Sequence, residues 1–105
     1  MCGILGEINL KGEKTSPDFF LKILRLSSKR GPDNFRIFNE IDNIQFGFNR
    51  LSILDLSENS NQPILSNDKR YLMVFNGEIY NYKEVKKNLT DLGYEFLTNS
   101  DTEVL

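Results

Sequence analysis

Cys2 is the single cysteine of this chain, and no histidine occurs anywhere in it. A thiol that attacks carbon needs a proton acceptor, and the usual imidazole is absent. Another acceptor exists if Met1 is removed, because Cys2 then carries a free α-amine on its own backbone. An α-amine has an ordinary pKa of about 7.7–8.0, so near neutral pH roughly a tenth to a fifth of it is free base. One residue then supplies nucleophile and base together, as N-terminal nucleophiles do. The plain alternative is a buried or incidental cysteine, since free cysteines are among the most buried residue types.

Other stretches stand out as local motifs. They are Arg30-Gly31-Pro32-Asp33, Asn49-Arg50-Leu51-Ser52-Ile53, Asn76-Gly77-Glu78-Ile79-Tyr80-Asn81 and Ser100-Asp101-Thr102-Glu103-Val104. Each alone has an ordinary structural meaning. Arg30 to Asp33 suits a helix stop and turn, and Asn76-Gly77 suits a type I′ hairpin. Arg50 suits a solvated strand, and Asp101 suits the start of a helix, where the dipole favours an acid.

The elements that must carry these residues are legible in outline. Cys2 to Leu10 reads as a strand, and Ser16-Pro17-Asp18 as a helix start with a capping hydroxyl and proline in the first turn. Phe20, Ile23 and Leu24 recur at helical spacing, with Gly31-Pro32 as the expected stop. Phe35 to Phe38 and Ile44 to Ile53 read as strands, with Ile44, Phe46 and Phe48 alternating against Gln45, Gly47 and Asn49. Ser57 to Gln62 reads as a polar loop and Tyr71 to Phe75 as a strand. Asn81 with Glu84 has capping-box spacing before the stripe Val85, Leu89, Leu92, and Gly93 closes that helix. Tyr94 to Leu97 suggests another strand, and Ser100 with Glu103 repeats the capping-box spacing before the last residue, Leu105. A helix begun so near the end is the mark expected of a fragment.

Composition narrows the partners. With 105 residues, 39% hydrophobic and 27% charged, the chain suits one soluble domain. A formal charge of −2 with no basic stripe argues against nucleic acid. One cysteine excludes an internal disulfide framework, and no apolar run reaches the length of a signal core or a membrane span. A cytoplasmic protein with no membrane partner is expected, with a homo-oligomer left open.

In this order, from Cys2 to the last residue, the motifs resemble the glutaminase domain of glutamine-dependent asparagine synthetases, among the class II glutamine amidotransferases. The Arg-Gly-Pro-Asp and Asn-Gly-Glu-Ile-Tyr-Asn stretches distinguish this branch from the glucosamine-phosphate synthases and amidophosphoribosyltransferases. Phe48 stands where many members of the branch carry histidine. The resemblance implies an α+β fold, a four-layer αββα sandwich of antiparallel sheets as in N-terminal nucleophile hydrolases, with residues 1–105 its N-terminal part. It implies Cys2 as nucleophile, and the Asn76 side chain with the Gly77 N–H as oxyanion hole. It also implies a glutamine site of Arg50, Leu51, Ser52, Ile53, Leu54, Glu78 and Asp101 beside them. Arg50 would hold the α-carboxylate and Asp101 the α-ammonium, with Glu78 nearby; Arg30 to Asp33 would brace the pocket. No cofactor or metal is implied for this chain. ATP and Mg²⁺ are implied for a covalently linked synthetase domain, absent here, that makes asparagine from aspartate and channelled ammonia.

The same residues leave two other functions open: an amidotransferase serving another acceptor, such as a surface-sugar pathway, or a relic that binds glutamine without hydrolysing it. The isolated 105-residue chain is expected to be a poor glutaminase and prone to associate.

Overall fold

Short elements follow one another along the chain, and the computed structural model describes residues 1–105. Strand β1 spans Gly3–Ile8, helix α1 Pro17–Leu26, β2 Asn34–Ile41, β3 Ile44–Arg50, β4 Ile64–Leu65, β5 Leu72–Met73, helix α2 Tyr82–Asp91 and α3 Asp101–Val104. Single 3₁₀ turns lie at Ser28–Arg30 and Glu58–Ser60. The order β1-β3-β2 makes one sheet and β4-β5 a second, and every pairing is antiparallel. This mixed arrangement is compatible with the expected α+β class. No helix is long and apolar enough to cross a membrane.

Helix α1 begins as its sequence dictates, with the Ser16 hydroxyl accepting from the Phe19 N–H and Pro17 in the first turn. It ends earlier than the Gly31-Pro32 signal, at Leu26. There the Ser27 hydroxyl turns back to the Leu24 carbonyl, and the chain tightens into the 3₁₀ turn. The helix lies on β3, with Phe20 and Leu24 buried directly over Gly47. The face of β3 that reads as polar is therefore the one beneath the helix. Gln45 and Asn49 are both fully buried there, and Asn49 Nδ2 donates to the Leu24 carbonyl at 2.8 Å and the Ser27 hydroxyl at 2.7 Å. Gln45 Nε2 reaches the Glu7 carboxylate at 2.6 Å. The Glu7 carboxyl is held below its ordinary range by the Thr15 hydroxyl, then by Gln45 and the Thr15 N–H.

Expected strands differ in extent, Cys2 to Leu10 narrowing to Gly3–Ile8 and Ile44 to Ile53 ending at Arg50. From Tyr71 to Phe75 only Leu72 and Met73 pair as strand, and Tyr94 to Leu97 forms none. The N–H groups of Leu97 and Thr98 instead find the Glu103 carboxylate, each at 2.7 Å, so this segment folds onto α3 and needs no neighbouring strand. Burial, the largest single influence, pushes the Glu103 carboxyl up, but the bonds from Leu97 and Thr98 outweigh it and hold the group below its ordinary value. Glu103 is thus not the reciprocal half of a capping box, although Ser100 Oγ does accept from the Thr102 N–H. In α2 the Asn81 side chain makes no cap bond, whereas Gly93 at φ 95° closes the helix as expected. Its N–H bonds Thr90, and the Tyr94 N–H bonds Leu89, the paired Schellman pattern.

The buried apolar core is small: Phe20, Leu24, Phe48 and Val104. Large apolar side chains including Ile8, Leu10, Leu26 and Leu97 remain exposed. The radius of gyration, 14.9 Å, exceeds the roughly 13 Å of a compact 100-residue domain.

Candidate active site

The register of the first sheet brings the reactive end of the chain to its cationic end. Gly3 lies opposite Asn49 in the β1–β3 ladder, so Cys2 emerges beside Arg50 and Leu51. The Leu51 N–H points at Cys2 Sγ at 3.3 Å, and the sulfur lies 3.8 Å from the Leu51 carbonyl oxygen.

The turn from Arg30 to Asp33 locks this corner. Arg30 Nε donates to the Cys2 carbonyl at 3.1 Å, and the Asp33 carboxylate accepts from the Ser52 N–H at 2.7 Å. The Asp33 N–H donates to the Arg50 carbonyl at 3.0 Å. Between them Gly31 lies so close to β3 that a Cβ on it would stand 2.2 Å from the Asn49 carbonyl oxygen. No side chain fits there without moving the strand that carries Arg50. Gly31→Ala is expected to destabilise the fold by about 3 kcal/mol, the upper part of the overpacking range, read as a lowered midpoint of denaturant unfolding.

Arg50 is only 8% exposed, yet it faces no carboxylate. Its Nη1 donates to the Ser57 carbonyl and Asn61 Oδ1, both at 2.8 Å, and its Nη2 donates to the Asp55 carbonyl. These bonds use three of the five guanidinium donors and leave two. Asp55 organises the supporting loop, accepting at 2.8 Å from the N–H groups of both Ser57 and Asn99. The Ser57 hydroxyl beside it, then the Asn99 and Ser57 N–H groups, hold its carboxyl far below the usual carboxylate range.

Asp101 is the opposite charge. It is 6% exposed, and its Oδ2 accepts from the Ile79 N–H at 2.9 Å. No cation pairs with it; the single ion pair of the chain is Lys87–Asp91 on the surface of α2. Asn76 and Gly77 follow β5 in an irregular stretch and bridge no hairpin. Neither the Asn76 side chain nor the Gly77 N–H donates to any protein acceptor. A Cβ at residue 77 would meet the Phe75 ring at 2.6 Å, so glycine is what fits.

These groups converge on one cavity of about 350 Å³, at the small end of the range of roughly 300–1,000 Å³ for small-molecule sites. Its wall includes Cys2, Arg50, Leu51, Ile53, Leu54, Asn76, Gly77, Glu78 and Asp101. Ser52 is not in that wall; its backbone is tied to Asp33. Asp55, Ser60, Gln62 and Phe75, which no motif contained, also line it, as do Phe48 and the motif residues Tyr80, Ser100 and Thr102, to which no role was assigned. Ser60 is buried and its hydroxyl has no partner. Gln62 closes what reads as a plain polar loop, and only its place before Pro63 marks it. No three His, Cys, Asp or Glu side chains gather closely enough to hold a metal ion.

A thiol, unengaged amide donors and two buried unlike charges around one small cavity suit a polar amino-acid-like ligand and acyl chemistry at its side chain. The family model of the glutamine amidotransferase domain matches residues 1–105, and the chain belongs to that family. It is similar to "Asparagine synthetase [glutamine-hydrolyzing] 1" of Bacillus subtilis, 42% identical over all of this chain and 17% of that protein. It is similar also to "Asparagine synthetase [glutamine-hydrolyzing] 2" of the same organism, 41% identical over all of this chain and 14% of that protein. "Amidase chry2" of Gibberella zeae is 35% identical over all of this chain and 17% of its own length. The chain thus spans less than a fifth of each of these relatives.

Proposed function

We propose that this chain hydrolyses the side-chain amide of glutamine and supplies the ammonia to asparagine synthesis in a longer protein. The observation that carries the reading is the pair of buried, unpaired charges, Arg50 and Asp101, in the wall that also holds Cys2. A buried charge without a partner is costly. Glutamine's α-carboxylate and α-ammonium are a matched pair of counter-ions. The spare donors of Arg50 take the carboxylate, and Asp101, with Glu78 nearby, takes the ammonium.

With its ends held, the substrate presents its side-chain carbonyl to Cys2. Loss of Met1, which lines the same cavity, frees the α-amine of Cys2 to accept the thiol proton. The sulfur adds to the carbonyl carbon, and the oxygen takes up negative charge facing Asn76 Nδ2 and the Gly77 N–H. Collapse of the adduct breaks the C–N bond, the amine returns its proton to the leaving nitrogen, and ammonia departs. Water then attacks the thioester carbon, giving a proton to the Cys2 α-amine. The second oxyanion collapses with cleavage of the C–S bond, the amine returns the proton to the sulfur, and glutamate is released. Leu51, Ile53 and Leu54 flank the aliphatic part of the substrate, and Ser52 fixes that segment through Asp33.

On this reading these elements are the N-terminal part of a four-layer αββα sandwich, and the uncovered apolar side chains noted above support further elements packing over them. ATP and Mg²⁺ act in a covalently linked synthetase domain of a cytoplasmic enzyme. The names of the relatives favour asparagine synthesis over a sugar acceptor.

Steady-state glutamate release tests the charges. Arg50→Lys and Asp101→Asn are each expected to raise KM for glutamine about 10–100-fold, the worth of one or two charged hydrogen bonds. The kcat should change far less. A fall in kcat with unchanged KM would reverse the assignment.

A further inference from the structure

One buried side chain outside the groups given roles above organises the cavity wall. Gln62 is 6% exposed, and its amide makes three hydrogen bonds. Oε1 accepts from the Phe75 N–H at 2.5 Å, and Nε2 donates to the Phe75 carbonyl at 3.1 Å. Nε2 also reaches Thr102 Oγ1 at 3.3 Å.

The ladder explains why a side chain does this. Ile64 pairs with Met73 and Leu65 with Leu72, so the register continued backwards sets Gln62 opposite Phe75. Pro63 intervenes with no N–H to donate, and the backbone pairing stops. The Gln62 amide replaces the missing strand, satisfying both backbone groups of the residue just before Asn76. Four residues on, the Ile79 N–H is held by Asp101. Asn76, Gly77 and Glu78 make no hydrogen bonds of their own and are suspended between these two anchors.

We infer that Gln62 is a positioning residue: its side-chain amide fixes the Asn76 and Gly77 donors and, through Thr102, sets their distance from Asp101. The inference rests on the glutaminase reading. The peptide that Gln62 holds by its carbonyl is the one joining Phe75 to Asn76, so its orientation sets where the Asn76 side chain begins. Releasing it lets the donors drift from the developing oxyanion, while Arg50 and Asp101 still hold the substrate's other end.

The test compares wild type, Gln62→Met and Thr102→Val in the longest native chain that carries these residues. It reads glutamate release and the rate at which iodoacetamide alkylates Cys2. Misplacement by about 1 Å can cost about 10²-fold in rate, so Gln62→Met is expected to lower kcat about 10–100-fold. The KM and the alkylation rate, which needs no oxyanion hole, should stay within about threefold. Thr102→Val should lower kcat in the same direction by a smaller factor. A kcat within about twofold of wild type in Gln62→Met, or KM and alkylation shifting in step with kcat, overturns the inference. If Gln62→Met fails to fold, an unchanged kcat in Thr102→Val overturns it. A wild type that releases no glutamate removes the glutaminase reading and this inference together, whereas an active wild type with unaffected variants removes this inference alone.

Discussion

Cys2→Ala is expected to abolish glutamine hydrolysis, by ~10⁴-fold or more in kcat, as loss of a nucleophile does, while the protein still binds glutamine. The two halves of that result have separate physical causes. The bond-forming atom is the sulfur, and no other cysteine and no histidine can replace it. Binding is proposed to belong to Arg50 and Asp101, whose partners lie in the 55–61 loop and at Ile79, none of them at Cys2. The hydrogen-bond contacts of the Cys2 sulfur are with Leu51 alone, and the bond from Arg30 to the Cys2 carbonyl survives the truncation, so little structure is lost. Titration calorimetry with glutamine should give an affinity within a few-fold of wild type, and the glutamate assay should read background. In the longer protein, added ammonia should still support synthesis. Intact-mass analysis of the active native protein bears on the same step. A retained Met1 blocks the α-amine and leaves the thiol without the base proposed for it, so active protein of full mass would sink the mechanism.

What the sequence made legible, and what it hid, divides along the reach of the interactions. Much of the local chemistry was readable: Ser16 and Pro17 start α1, and Gly93 ends α2, because each acts within one turn of its own residue, although the equally local Asn81 makes no cap bond. Signals that depend on distant partners were not. Tyr94 to Leu97 has the residue types of a strand, but the N–H groups of Leu97 and Thr98 are taken by Glu103. Phe75 reads as the end of a strand, but its backbone is paired by the side chain of Gln62. The face of β3 bearing Gln45, Gly47 and Asn49 looks solvent-facing by polarity. It is buried because Gly47 makes room for Phe20 and Leu24, and because Asn49 bonds the last turn of α1.

The candidate site shows the same division. Motif residues could be named from the sequence because their types are chemically distinctive, and the structure places Cys2, Arg50, Asn76, Gly77, Glu78 and Asp101 around one cavity. The supporting roles could not be read, since Gln62 and Asp55 are ordinary loop types outside every motif, and Thr102, though inside one, matters for what it holds. Asp55 illustrates this. Its carbonyl faces Arg50 while its carboxylate ties the loop to Asn99, beside α3. One residue thereby links the cationic and anionic sides of the cavity without being either.

Asn76→Ala should separate rate from binding most cleanly. The side chain is exposed and makes no hydrogen bond within the protein, so its removal should change stability by no more than about 0.5 kcal/mol, the usual bound for such surface sites. Against that small structural effect stands a large chemical one. A side-chain donor aimed at a developing oxyanion is worth about 10²–10³-fold in kcat, and the ground-state carbonyl, which carries far less charge, gains little from it. The kcat should therefore fall by that factor with KM nearly unchanged. Asn76→Asp should fall further, because a carboxylate places negative charge where negative charge must form. Steady-state glutamate release, with thermal unfolding of each variant as the control, reads all three quantities. If Asn76→Ala instead raises KM at constant kcat, the amide grips the bound substrate in its ground state, and the oxyanion hole must be sought elsewhere in the wall.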